Sequence, residues 1–234
     1  MSQLEIIVES THDALIAEKH GANQLDLKAC YCQGGVTTSA GTIEMICHSV
    51  SIPVLVMIHP HNPIFCYSKS DLKIMSSDIR LARSLGASNF LIGCITPKKE
   101  IDQSALRQLR DAAGEADLHF NLVWQLTREP FTALDVLISH DIKSIRSSGK
   151  GFLGDQAVDH LPELKAIQAH VDGKMQVFAA GGVNAQNMAK INTQSGVYNF
   201  HTGSGARKPA QPFGPVNAAY VQQLKDAIDG VKYF

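Results

Sequence analysis

No charge of one sign dominates this chain: 21 basic side chains stand against 22 acidic ones, for a formal net charge of −1. A balance this even makes no long-range field to draw in nucleic acid or an anionic membrane surface, so neither is expected as a partner. Long apolar runs are missing too. No segment approaches the roughly 20 residues that span a bilayer, and "MSQLEIIVES" has neither a basic n-region nor enough apolar length for a signal sequence. The expectation is a cytoplasmic protein. Five cysteines, an odd number, read in a reducing cytosol as free thiols rather than a disulfide framework. There is also no Walker-type loop, H-E-x-x-H, G-x-S-x-G or Rossmann fingerprint. Nucleotide hydrolysis, zincin chemistry and α/β-hydrolase chemistry therefore have no sequence support.

What is present is hydrophobic periodicity. With 234 residues, 44% of them hydrophobic, the chain suits one domain with a substantial core. Eight short β-branched or apolar runs stand out: "LEIIVE" (4–9), "NQLDLK" (23–28), "VLVMIH" (54–59), "NFLIGC" (89–94), "LHFNLV" (118–123), "IKSIRS" (142–147), "KMQVFAA" (174–180) and "GVYNFH" (196–201). Helical patterns lie between them. In "SDLKIMSSDIRLARSLGA" Leu72, Met75, Ile79 and Ala82 recur at helical spacing, Ser70 is the expected N-cap and Gly86 the stop. "HGANQL", "LGASNF" and "SGVYNF" repeat one junction, a glycine at a helix end shortly before a strand. Alternation of this length predicts an α/β fold, a single-domain (βα)8 TIM barrel over 1–234, with a last helix at about 215–231. An open doubly wound sheet is the alternative and usually needs fewer units.

A barrel keeps its chemistry at the C-terminal ends of its strands. Strand alternation puts Glu5, Ile7 and Glu9 on one face, Gln24, Asp26 and Lys28 on another, and Leu55, Met57 and His59 on a third, each opposite an apolar face. The polar faces should point inward. Buried there without partners, Glu5, Asp26 and Lys28 would cost several kcal/mol each, so they either pair with one another or face a wet pocket. His59, Asn121 and His201 would stand at the same mouth. Lys28 is a Schiff-base candidate in principle, but Asp26 and Glu5 beside it favour its charged form. The loops "AAGGVNAQN" and "HTGSGARKP" follow the seventh and eighth strands. Gly181, Gly182, Gly203, Ser204 and Gly205 would offer bare amides to an anion, with charge from Arg207 or Lys208. "CYC" puts Cys30 and Cys32 after the second strand; two donors alone do not complete a metal site, which would need Met57, His59, His61, Cys66 or Cys94 to converge. Cys47 reads as a helix-buried thiol.

The stretches "LEIIVES", "GANQLDL", "QGGVTTSAG", "IPVLVMIHP", "YSKSDLKIMSSDIRLARSLGA", "GGVNAQNMAKI" and "FHTGSGAR" together resemble the CutC family, named for copper homeostasis, over about residues 3–207. The resemblance implies a cytosolic (βα)8 barrel with a copper-related role and no settled reaction. Glu5, Glu9, Asp26 and His201 match the family's pattern. Where the family commonly carries thiols this chain has Ile7 and Lys28, and those thiols would be the natural ligands of a soft Cu(I) ion. His59 and His61 replace arginines. Phe120 is kept, but Asn121, Leu122 and Gln125 replace a His, Arg and Asp. The resemblance therefore implies no firm cofactor, with copper the family's candidate and the metal ligands unknown. Three readings stand: a copper-binding or copper-handling protein; an enzyme acting on a small phosphorylated or otherwise anionic metabolite, with Glu5, Glu9, Asp26 or His59 moving protons; and a barrel that binds such a ligand without turning it over. A homodimer is compatible with a barrel of this size, and no residue pattern specifies one.

Overall fold

The structure is a computed structural model that describes residues 1–61, 65–151, 154–211 and 213–231. Eight parallel strands close into a barrel in chain order: β1 (Leu4–Val8), β2 (Gln24–Leu27), β3 (Val54–Met57), β4 (Asn89–Ile92), β5 (Asp117–Phe120), β6 (Ser144–Ser147), β7 (Gln176–Ala179) and β8 (Asn199–Thr202). The last strand pairs with the first, Glu5 opposite His201. Eight helices alternate with them: α1 (Thr11–Lys19), α2 (Ala40–Ser49), α3 (Lys69–Ser84), α4 (Gln103–Ala113), α5 (Pro130–Ser139), α6 (Leu161–Val171), α7 (Met188–Ser195) and α8 (Ala218–Asp229). The (βα)8 expectation is met, and the eight strands close on themselves. Among the described residues, no helix is long and apolar enough to cross a membrane.

Alternation sorts the strands' side chains as their sequence implies. Leu4, Ile6 and Val8 of β1, Leu25 and Leu27 of β2 and Val54 and Val56 of β3 pack outward into one apolar core under the helices. α3 contributes Met75, Ile79 and Ala82 to it, and burying a Met or Ile side chain stabilises by roughly 1.5–3 kcal/mol. Ser68, not Ser70, caps this helix. Its hydroxyl accepts from Asp71 N while the Asp71 carboxylate accepts from Ser68 N. The reciprocal pair satisfies two orphan amides where Ser70 would satisfy one. The three repeated junctions share a backbone cause: Gly21, Gly86 and Gly196 all have φ between +76° and +113°, a region a side chain enters at a cost.

Candidate functional site

The odd-numbered positions of β1 and the even-numbered ones of β2 point into the barrel, and the interior is polar on one side. Glu5 is fully buried and is surrounded by donors. Arg146 of β6 binds it through Nε, 2.8 Å from Oε1, and through Nη2 to Oε2. Gln24 Nε2 donates to Oε2 at 2.6 Å, and His201 Nδ1 lies 2.5 Å from Oε1. Burial alone would raise the Glu5 carboxyl, but the Arg146 guanidinium and the His201 hydrogen bond outweigh it and hold the group well below the usual carboxylate range. Glu5 is therefore a fixed anion, suited to orienting a neighbour and not to trading protons. Its acceptor-only carboxylate assigns the proton of His201 to Nδ1. Nε2 of His201 makes no hydrogen bond among the described residues.

One level up, Asp26 of β2, Leu91 of β4, Arg146 of β6 and His201 of β8 line an inner cavity of about 50 Å³ together with Met57, Phe65, Asn121 and Lys28. Four inward side chains from alternate strands make one layer of a TIM barrel; here the layer carries charge. Asp26 is fully buried, with Lys28 Nζ 2.6 Å from its Oδ2 and His201 Nδ1 3.9 Å away. Neither of its carboxylate oxygens makes a hydrogen bond among the described residues, so the Lys28 contact is an ion pair without hydrogen-bond geometry. The Asp26–Lys28 pair anticipated from the sequence is thus formed, while Glu5 takes Arg146 in place of Lys28.

Above this floor the barrel opens into a pocket of about 560 Å³, and Lys28 and His201 line both spaces. Its walls are Ile7, Tyr31, Cys32, Asp155 and Gln156 on one part, and Gly181, Gly182, Val183, Gly203 and Ser204 on another. The N–H groups of Gly182 and Gly203 make no hydrogen bond among the described residues, whereas Ser204 N donates to Tyr31 Oη at 3.2 Å. The glycines are required by close approach. A Cβ on Gly203 would lie 2.2 Å from Tyr31 Oη, and one on Gly181, at φ +90°, would lie 2.3 Å from the Asp155 carbonyl oxygen. The first turn leading into α7 spends its amides internally, because Asn184 Oδ1 accepts from Gln186 N and Asn187 N.

Not every sequence candidate reaches this pocket. Gly205 packs behind it, against Val183 O and Thr202 Oγ1. Arg207 is fully buried; its Nη1 donates to the carbonyls of Ile7 and Gly203, and its guanidinium lies 5.1 Å from the Tyr31 ring. It braces the β8 loop from behind. Glu9 accepts from Tyr31 N at 2.9 Å. His59 is fully buried, stacked on Phe65 at 4.3 Å with Nδ1 2.8 Å from Tyr67 Oη. Asn121 borders the inner cavity while its Oδ1 accepts from Val123 N. His61 is paired with Asp71 at 3.2 Å. Cys30 and Cys32 are exposed, Cys47 and Cys66 partly buried, and Cys94 buried, with burial raising the thiols of Cys47 and Cys94. Two participants escaped the sequence reading. Arg146 was signalled by alternation in "SIRS", which puts it inward with Ser144; Tyr31, between the two cysteines, carried no local signal.

The CutC family model matches residues 2–206. A CutC family protein of Pasteurella multocida is 32% identical over 212 residues, 90% of this chain and 86% of that protein. The human copper homeostasis protein cutC homolog is 30% identical over 198 residues, 85% of this chain and 71% of its own length. The crystal structure of CutC from Streptococcus agalactiae superposes with a TM-score of 0.81 at 26% identity, covering 87% of this chain and 98% of that one. A family model matched over residues 2–206, with relatives at 30% identity or more along most of their length, makes this protein a member of the CutC family.

Proposed function

We propose that this protein binds a small phosphorylated or otherwise anionic metabolite in the mouth of its barrel and moves a proton on it, with His201 as the acid–base group. The carrying observation is the Glu5–His201 pair: Nδ1 is held at 2.5 Å by a carboxylate that Arg146 keeps ionised, which leaves Nε2 as the ring nitrogen available in the pocket. A fixed anion behind an imidazole sets its tautomer and its orientation. The amides of Gly182 and Gly203, with the N–H groups of Lys28 beside them, supply donors for an anion. Reduced thiols throughout suit a cytoplasmic protein.

Copper is what the family's name implies, and the residues here do not fit Cu(I). Soft ions take thiolate and thioether ligands. The pocket brings Cys32, and the inner cavity Met57, while Ile7 and Lys28 occupy the inward positions nearest the floor. Among the described residues, the one group of three or more His, Cys, Asp or Glu side chains spaced for a metal is Glu5, Asp26 and His201. It holds no sulfur, and Arg146 and Lys28 already neutralise its carboxylates. Titration with inorganic phosphate, followed by calorimetry, tests the anion reading. Saturable binding that weakens with salt and is lost in Lys28→Met supports it; absence of binding in the unmodified protein contradicts it.

A further inference from the structure

Lys28 stands where the outer pocket meets the inner cavity, with 6% of its surface exposed. Its stem fills the space over Gly35, where an added Cβ would lie 2.4 Å from Lys28 Cδ and 3.2 Å from Met57 Sδ. The ammonium is thereby pinned on a short tether beside Asp26. The sequence sets two carboxylates next to this lysine, yet Glu5 is taken by Arg146, Gln24 and His201, which leaves Asp26 alone to balance it. Asp26 in turn is fully buried with neither carboxylate oxygen hydrogen-bonded among the described residues, held to Lys28 by the ion pair alone. An orphaned carboxylate oxygen inside a cavity is costly unless it serves a ligand or a proton transfer.

We propose that Lys28 forms an imine with the carbonyl carbon of a small anionic aldehyde or ketone, Asp26 acting as its proton partner. This deepens the anionic-ligand reading above and rests on it. Asp26 first takes one ammonium proton across the 2.6 Å contact. That exchange leaves a neutral amine and a neutral acid in place of the ion pair. The amine lone pair then bonds to the carbonyl carbon while the C=O π pair moves to oxygen. A proton passes from the new nitrogen to that oxygen and gives a carbinolamine. Asp26 returns its proton to the hydroxyl, the C–O bond breaks to release water, and the nitrogen lone pair closes the C=N bond. One ammonium and one carbonyl have become one iminium and one water, and Asp26 is again a carboxylate beside a cation. The iminium withdraws electrons from the adjacent carbon, whose proton is then within the remit of His201 Nε2.

The test is reductive trapping on the intact protein. Incubation with glycolaldehyde phosphate and sodium cyanoborohydride, followed by peptide mass mapping, should give one reduced adduct at Lys28 before surface lysines react. Inorganic phosphate should compete, and Asp26→Asn, checked for folding by circular dichroism, should slow labelling by about a hundredfold. Adducts spread over surface lysines with Lys28 unmodified, while phosphate still binds, overturn the imine and leave the anion site intact. Labelling at Lys28 that phosphate neither slows nor accompanies with binding keeps the imine and removes the anion cradle. Neither labelling nor phosphate binding removes both.

Discussion

At the scale of single residues, the floor of the barrel is a set of charges that stand or fall together. Glu5→Gln leaves the Arg146 guanidinium buried without its anion. Breaking a buried pair from one side costs about 3–5 kcal/mol, and urea unfolding at neutral pH should read a loss of that order. A Glu5→Gln protein as stable as the parent would mean that the pair contributes little. Two groups inside the barrel contribute to the pH dependence. Glu5 is held below its ordinary value of 4.5 in the folded chain, so its contribution is present above that range and fades as pH falls below it. His119, buried against Ser144 and Asn89, is pushed down to about 3 from 6.5 by burial and then by the Arg146 charge. The unfolded chain therefore takes up a proton at His119 below about pH 6.5 that the folded chain refuses until about 3, and stability drops as pH falls through that window. In His119→Asn the stability curve should flatten between those two values; an unchanged slope would assign the acid sensitivity elsewhere. The faces these residues share were legible from alternation alone. Their partners were not, because Glu5 meets Arg146 across 141 positions of sequence, and no local pattern records that.

Elements tell a similar story. Strand and helix positions follow from periodicity, and the junction glycines from the left-handed turns they make. The fifth strand is the instructive exception. It ends at Phe120, and Asn121 caps a short 3-10 turn over Leu122–Leu126, a change that the continuous apolar run "LHFNLV" does not announce. The cap of α3 is another, since Ser68 and Ser70 both precede the apolar run that starts at Leu72, and the capping box with Asp71 makes Ser68 the cap and puts Ser70 inside the helix. Ser68→Ala should cost about 1 kcal/mol in urea unfolding, and Ser70→Ala less than about 0.5 kcal/mol. Equal effects would contradict the assignment. The loop holding Cys30 and Cys32 turns on Tyr31, whose amide donates to Glu9, whose hydroxyl accepts from Ser204 and whose ring lies over Arg207. Anaerobic Cu(I) titration should accordingly show no tight stoichiometric binding. Tight binding that vanishes in the Cys30→Ser, Cys32→Ser double variant would restore a copper role for this loop.

For the molecule as a whole, closure of the barrel is what turns scattered inward side chains into one site. Asp26, Arg146 and His201 meet because β2, β6 and β8 contribute to the same layer. Glycine-rich loops after β7 and β8 form a wall of the same mouth for the same topological reason. The sequence carries the existence of this mouth once eight βα units are counted. It does not carry which glycine faces in: Gly182 and Gly203 line the pocket, whereas Gly205 and Arg207 lie behind it. A crystal structure of the protein grown in phosphate probes this most directly. The ion should lie over the amides of Gly182 and Gly203, in a pocket open down to Lys28 and His201. Phosphate bound elsewhere on the molecule, with this mouth empty or sealed over the Glu5–His201 pair, would contradict it.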